Sequence, residues 1–174
     1  MTDSTAIEPT EHPALAPRLA IWVLLAIVLV LAGYVGLAHL LRIDTLFAGA
    51  FFIFFWVGVE KAAAKAFLPA LIGAAGGIIN SGMLHPQLAT AAGIDPGLTA
   101  LVGLAVLLLA IYLLLIQKAS ILFNHSYMLF FTVGAIPMLS DMAIFRDMAA
   151  SLALAAAYVG AILWMLRWLE ARKR

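Results

Sequence analysis

Few polar side chains interrupt the apolar parts of this sequence, and three of them have the chemistry to contact a solute. Asn80 is an uncharged amide deep in an apolar segment, while His125 and Thr132 lie seven residues apart, which places them on one face of a helix. Polar groups within membrane-spanning segments are costly and usually face a bundle interior or a wet cavity. These three residues are candidate solute contacts. Interhelical hydrogen bonding by Asn80 and helix capping next to His125 are the simpler explanations.

Aromatic rings recur at helical spacing in two segments. In the first, the rings lie at i, i+4, i+7 and i+8 from Phe47, and the second segment repeats that face from Phe123. A narrow apolar constriction passes small neutral molecules and opposes hydrated ions, because an ion would lose its water with nothing in return. Packing against lipid or neighbouring helices is the simpler explanation of the rings. The rings in the middle of the two segments, and hence the candidates for a constriction, are Phe51, Phe54, Tyr127 and Phe130.

Residue sets typical of enzymes and metal sites are missing from the sequence. It has no HExxH, no GxSxG and no phosphate-cradling glycine loop. Because it has no cysteine, thiolate metal sites and cysteine nucleophiles are excluded. The formal net charge of +1 gives no basic surface for nucleic acid. We therefore expect no enzymatic activity, no metal or other cofactor, and no nucleic-acid partner.

The composition predicts that the lipid bilayer is the solvent of this protein. Of its 174 residues, 66% are hydrophobic and only 11% are charged. A soluble domain carries roughly a quarter charged residues, so this chain has too little polar surface to cover a water-facing globule. An all-α integral membrane protein follows, because helices satisfy their own backbone hydrogen bonds in lipid.

Six apolar segments are predicted to be transmembrane helices, although the second is unusually short. Before them, residues 1–17 are polar and contain proline, which predicts a disordered tail rather than a secretory signal. Residues 18–166 form the membrane domain, and residues 167–174 form a basic tail. The six predicted helices cover residues 19–41, 46–59, 67–84, 98–116, 121–139 and 148–166.

The placement of lysine and arginine predicts the orientation. With six spans, eight of the ten basic residues fall on one side and only Arg42 and Arg146 on the other. Basic residues concentrate on the cytoplasmic side of membrane proteins, so both termini are predicted to be cytoplasmic. The cytoplasmic residues would be Arg18, Lys61, Lys65, Lys118, Arg167, Arg172, Lys173 and Arg174.

The two halves of the chain resemble each other. A shift of 76 positions lays residues 46–59 on residues 122–135 without a gap, and six of the fourteen aligned residues are identical. A repeat of three spans is odd-numbered, so residues 19–84 and 98–166 would form two halves of opposite orientation. Such inverted repeats are a recurring transporter design, with sites near the midplane. Convergence of two Phe-rich helices through composition is the alternative.

Small residues predict the faces through which helices pack. Gly73 and Gly77 form a GxxxG pair in the third predicted helix, and such pairs let two helices approach closely. In the sixth predicted helix Ala153 and Ala157 belong to a run of alanines at four-residue spacing. We expect these faces to be buried in the bundle or at the seam of a homo-oligomer.

The stretch FAGAFFIFFWVGVEKAAAKAFLPALIGAAGGI, residues 47–78, carries one resemblance to a known family. An aromatic helix, a short basic turn and a Gly-rich helix in that order resemble small bacterial inner-membrane proteins of a domain-of-unknown-function family. The resemblance covers under a fifth of the chain and implies a multi-pass protein of the bacterial inner membrane.

In size and span count the chain is also similar to bacterial urea channels and small acetate channels. The Asn-Pro-Ala-Pro-Leu-Gly signature of the acetate family is absent, so the likeness is one of architecture. Together these features favour a channel or facilitator for a small neutral or weakly charged solute. The alternative is a non-transporting membrane subunit or scaffold that packs against a larger complex.

Overall fold

The structure, a computed structural model, describes residues 17–136, 139 and 141–172, and every regular element in this part of the chain is helical. The predicted all-α fold is confirmed to that extent. Seven helices follow one another: α1 Pro17–Leu40, α2 Phe47–Gly58, α3 Ala64–Gly82, α4 Pro86–Ala91, α5 Pro96–Leu115, α6 His125–Gly134 and α7 Met142–Arg172.

The helices fall into two length classes. Four of them, α1, α3, α5 and α7, are long and apolar enough to cross a membrane. By contrast α2 has 12 residues and α6 has 10, which correspond to lengths of ~18 Å and ~15 Å against a hydrocarbon core of ~30 Å. The structure therefore supports four spanning helices directly, whereas the count of six is not established by helix length.

Several predicted boundaries shift for local reasons. The predicted fifth helix, residues 121–139, contains only the ten residues of α6, because Asn124 caps its start and the helix ends at Gly134. Residues 86–91, predicted to be part of a turn-rich connection, form α4, which begins with Pro86 at its first position.

The last helix is much longer than predicted. It begins at Met142 and continues to Arg172, so most of the predicted basic tail, residues 167–174, is helical. No glycine or proline interrupts its final turns, and the Arg172 guanidinium lies 3.6 Å from the ring centroid of Trp168, one turn back. Residues 173–174, and residues 1–16 of the predicted N-terminal tail, lie outside the described part.

The core is built from two pairs of helices, each consisting of one short and one long helix. The most extensive packing joins α6 to α3, and the next most extensive joins α2 to α7. The first pair is parallel, because Gly73 faces Asn124 at one end and Ser81 faces Gly134 at the other. The second pair runs the same way, because Gly49 bonds to Ser151 and Val57 lines one groove with Ile162. The outer helices α1 and α5 bury few side chains and leave most of their apolar surface exposed, as a lipid environment allows.

The outer helices end in the same turn. The amide of Ile43 donates to the Ala38 carbonyl after α1, and the amide of Lys118 donates to the Leu113 carbonyl after α5, both over five residues. In each turn the preceding residue, Arg42 or Gln117, has a positive φ near 55°. This is the Schellman arrangement, in which glycine is the usual residue at the position of positive φ.

Candidate functional site

A buried polar contact joins the third and sixth helices. Asn80 on α3 is 3% exposed, and its Nδ2 donates a hydrogen bond of 2.8 Å to the hydroxyl of Tyr127 on α6. A small apolar cluster that includes Ala110 of α5 surrounds the Tyr127 ring. We call this pair the Asn80–Tyr127 contact. It brings together two of the residues predicted from the sequence.

Two polar atoms in this part of the bundle have no hydrogen-bond partner among the described residues. They are Oδ1 of Asn80 and Oγ of Ser126, the residue directly before Tyr127, and both are inaccessible to solvent. A buried polar atom without a partner costs about 1–3 kcal/mol relative to a paired one. The carbonyl oxygen of Asn80 is an acceptor and the Ser126 hydroxyl can either donate or accept. A small molecule that donates a hydrogen bond would complement the Asn80 oxygen.

Glycines on α3 allow this approach. A β-carbon at Gly77 would collide with the Tyr127 carbonyl and lie 2.7 Å from the Phe131 nitrogen. A β-carbon at Gly73 would collide with the side chain of Asn124. The two helix backbones therefore nearly touch, and the sequence prediction that Gly73 and Gly77 pack closely against another helix describes what is observed.

The N-terminus of α6 is fixed by a side chain that bonds in two directions. Oδ1 of Asn124 accepts a bond of 3.1 Å from the Tyr127 amide, while its Nδ2 donates 2.8 Å to the Pro69 carbonyl of α3. The first bond is an N-cap, and the second ties that cap to the neighbouring helix. Asn124 thus sets the position of Tyr127 relative to Asn80.

The other pair of helices contains a second polar cluster, which we call the Ser151 cluster. Ser151 Oγ on α7 accepts a bond of 2.9 Å from the Gly49 amide of α2 and donates 3.1 Å to the Leu46 carbonyl. The Tyr34 hydroxyl of α1 lies 2.7 Å from the same oxygen and 3.0 Å from the Leu46 carbonyl. A side chain from α7 therefore caps the first turn of α2, which has no side-chain cap of its own.

The four aromatic rings predicted to form a constriction do not meet in the chain. Tyr127 and Phe130 are buried, but Phe51 is 41% exposed and Phe54 is 51% exposed on the outer face of α2. The structure therefore corrects the prediction that all four rings share an interior face, because Phe51 and Phe54 face outward. The reason is that α2 turns Phe52 and its other core residues into the bundle, where the Phe52 ring packs against Phe67 of α3, so rings one position before and two positions after face outward.

His125 and Thr132 are also placed at the surface. The Thr132 hydroxyl donates 2.8 Å to the Met128 carbonyl of its own helix, the back-bonded arrangement usual for threonine in a helix. His125 is the first residue of α6 and lines a surface cleft with Lys118. Neither His125 nor Thr132 faces the Asn80–Tyr127 contact.

The alanine face predicted on the last helix is not the face that packs within the chain. Ala153 and Ala157 are exposed, whereas the buried residues of α7 include Ser151, Ala155 and Val159. Ala153 lines an apolar groove of about 420 Å³ between α3 and α7. The proposed role of these alanines in an oligomer seam remains a prediction.

The buried polar residues that were not among the sequence candidates include Tyr34, His85 and Ser151. Tyr34 and Ser151 form the second cluster, and His85 is 5% exposed after the end of α3. His85 Nε2 donates 2.7 Å to the Gly134 carbonyl at the end of α6, and its ring lies edge-on to Phe145. Tyr34 and Ser151 could have been found in the sequence as polar residues inside apolar helices. Nothing in the turn-rich sequence around His85 indicates that it is buried.

The described residues hold no group of three or more His, Asp or Glu side chains arranged for a metal ion. What the interior offers is neutral hydrogen-bond donors and acceptors in apolar surroundings. Comparison of the chain with protein-family models, with curated proteins and with solved structures gave no match, so the resemblance to a bacterial inner-membrane family remains a prediction.

Proposed function

We propose that this chain is a channel or facilitator for a small neutral or weakly charged solute, with the Asn80–Tyr127 contact as its polar contact point. The observation that supports the proposal most is the buried Asn80 Oδ1, which receives no hydrogen bond from the part of the chain that the structure describes. Unsatisfied polar groups inside a membrane protein are costly, and polar residues in spans commonly mark solute pathways. A passing solute that donates a hydrogen bond would offset this cost.

The chemistry of the contact restricts the solute class. Asn80 and Tyr127 are uncharged groups that can donate and accept hydrogen bonds, and the rings and aliphatic side chains around Tyr127 cannot replace the hydration shell of an ion. A compact molecule with at least one donor fits, and a hydrated ion does not. Opening of the α3–α6 interface would be needed for entry, because both unpaired atoms are closed off from solvent.

An inverted repeat of two three-helix halves is part of this proposal. An axis that exchanges α1 with α5, α2 with α6 and α3 with α7 would turn the α2–α7 pair into the α6–α3 pair, and these are the two most extensive contacts. The matching turns after α1 and α5 support the same exchange. In this arrangement α2 and α6 cross with the help of their flanking loops, which would give six spans.

Membrane orientation follows from charge. We place the chain in the bacterial inner membrane with both termini in the cytoplasm, because eight of its ten basic residues then lie on the cytoplasmic side. In this orientation the loop with Lys61 and the loop with Lys118 are cytoplasmic, and α4 lies on the outer side.

Reporter fusions test the orientation. A fluorescent protein fused after Arg174 should be bright, and alkaline phosphatase inserted after Gly93, where the backbone is exposed, should be active. The reciprocal pair of fusions should be silent. Phosphatase activity from the fusion at residue 174 would reverse the topology.

Solute flux tests the function. Proteoliposomes of the purified protein should swell faster than protein-free liposomes in a graded series of uncharged donors such as urea, acetamide and glycerol. Asn80→Leu should slow the fastest of these fluxes about tenfold, because loss of one hydrogen bond is worth about 1.4 kcal/mol. Thr132→Val, which removes an exposed hydroxyl on the same helix as Tyr127, is the matched control and should leave flux unchanged.

A non-transporting subunit or scaffold is the second candidate, and the outward position of Phe51 and Phe54 favours it. Aromatic side chains are enriched in the centres of protein interfaces, so this face of α2 would meet a partner or another copy in a homo-oligomer. Proteoliposomes that are as tight as protein-free ones for every solute, with the protein folded and correctly oriented, would favour this candidate over the channel.

A further inference from the structure

A polar cleft lies at the surface where the fifth helix passes into the sixth. We call it the α5–α6 cleft. Its volume is about 450 Å³, within the range of small-molecule sites. It is lined by Leu114, Gln117, Lys118, Ser120, Phe123, Asn124 and His125.

The lining has the chemistry of an anion site. Lys118 supplies a full positive charge, and His125 and Gln117 supply further N–H donors. None of the described lining residues is acidic, although Glu60 lines an adjoining pocket together with Lys65. The cleft also adjoins the first turn of α6, where the helix dipole adds partial positive charge. A phosphate group matches this set of donors.

The surroundings of the cleft indicate that the phosphate carries acyl chains. Leu114 and Phe123 form one apolar side of the lining. Next to the lining residues in the sequence, Leu115 is 77% exposed and Ile121 is 61% exposed. Both lie in the part of the chain that is proposed to be at the cytoplasmic surface of the bilayer. A free anion would gain nothing from these apolar neighbours, whereas a lipid places its headgroup in the cleft and its chains against the outer surface of α5.

At one residue of the cleft the backbone has a conformation that glycine adopts more easily than other residues, yet this residue carries a side chain. Gln117 has φ of 54° and occupies the position of the Schellman turn that glycine usually takes. A residue other than glycine in this region is strained, and Arg42 has the same φ in the matching turn after α1. The Gln117 side chain lines the cleft, which gives a reason for its presence.

We propose that the α5–α6 cleft binds the phosphate of an anionic phospholipid from the cytoplasmic leaflet, with Lys118 as the main charge partner and Gln117 and His125 as hydrogen-bond donors. The cleft shares Phe123 and Asn124 with the surroundings of Tyr127, but lipid binding is measured directly and needs no solute flux.

The test uses the full chain in a neutral detergent, with bound lipid counted by native mass spectrometry and stability followed by thermal unfolding. Phosphatidylglycerol should bind and raise the Tm, and phosphatidylcholine should do so at least tenfold more weakly. Lys118→Ala should weaken phosphatidylglycerol binding about tenfold. Arg167→Ala, which removes an exposed charge from the same proposed side of the membrane, should bind like the unchanged protein.

A second variant tests the same proposal if Lys118→Ala folds poorly. Gln117→Gly should raise the Tm of the lipid-free protein by roughly 2 °C, because glycine accepts the positive φ, and at the same time weaken phosphatidylglycerol binding several-fold. Equal effects of Lys118→Ala and Arg167→Ala on binding would overturn the proposal. Equal protection by inorganic phosphate and phosphatidylglycerol would also overturn it, since the site would then bind a free anion.

Discussion

Replacing Gly77 with alanine should lower the free energy of unfolding by about 2–4 kcal/mol, a loss large enough to be seen as reduced yield and a lower Tm in detergent. The added methyl group would collide with the Tyr127 carbonyl and approach the Phe131 nitrogen to 2.7 Å. Both atoms belong to the backbone of α6, so rotation of a side chain cannot relieve the contact. The helices α3 and α6 must separate, and the Asn80–Tyr127 hydrogen bond should lengthen with them.

A matched substitution isolates this effect from the general preference of helices for alanine. Gly160 lies inside α7, and a β-carbon there would meet nothing within 4 Å. Gly160→Ala should therefore raise stability by about 0.5–1 kcal/mol, the ordinary gain for this exchange within a helix. The measurement is reversible unfolding of the two variants and the unchanged protein in mixed micelles. Equal behaviour of Gly77→Ala and Gly160→Ala would mean that α3 and α6 are not in close contact.

The Gly73–Gly77 face was predictable because glycine leaves few alternatives. Two glycines four residues apart in an apolar helix leave a surface without side chains. Such a surface allows close approach of another helix backbone. Alanine is less informative. In α7 it occurs on several faces, and the buried face is selected by Ser151, whose hydroxyl has partners on α2. Spacing alone therefore indicated Ala153 and Ala157, which are exposed in the chain.

The aromatic residues show a different limit of sequence reasoning. Both α2 and α6 carry rings on more than one face, so periodicity cannot select the face that is buried. The choice depends on where the partner helix lies: the backbone of α6 meets that of α3, and Phe130 is buried, whereas Phe51 and Phe54 remain outside. In a membrane protein the exposed face is as apolar as the core, which removes the contrast that identifies buried faces in soluble proteins.

Helix ends were predictable only where a residue has a specific local role. Hydrophobicity places the long helices α1 and α5 to within two residues, because charged or turn-forming residues flank them. It overestimates α6, where apolar residues continue on both sides of a helix that is bounded by the Asn124 cap and by Gly134.

Removal of the Ser151 hydroxyl is the second change from which we expect a large loss of stability. Ser151→Ala should lower the free energy of unfolding by about 2–3 kcal/mol, because the Gly49 amide is buried and, among the described residues outside α2, Ser151 Oγ is its hydrogen-bond acceptor. The Leu46 carbonyl loses one donor but keeps the Ala50 amide and the Tyr34 hydroxyl, so the cost falls mainly on Gly49. Thermal and denaturant unfolding in detergent measure it. Thr132→Val, which removes an exposed hydroxyl bonded within its own helix, should change stability by less than about 0.5 kcal/mol.

A double-mutant cycle with Tyr34→Phe separates the two roles of Ser151. If Ser151 and Tyr34 hold the start of α2 together, the double variant should be more stable than the sum of the two losses predicts, by about 0.5–2 kcal/mol. The 2.7 Å contact between their oxygen atoms is the reason for this coupling, because either single change removes it. Additive losses would show that Ser151 acts through Gly49 alone. A Ser151→Ala variant as stable as the unchanged protein would mean that α2 does not begin against α7, and the pairing of short with long helices would then hold only for α3 and α6.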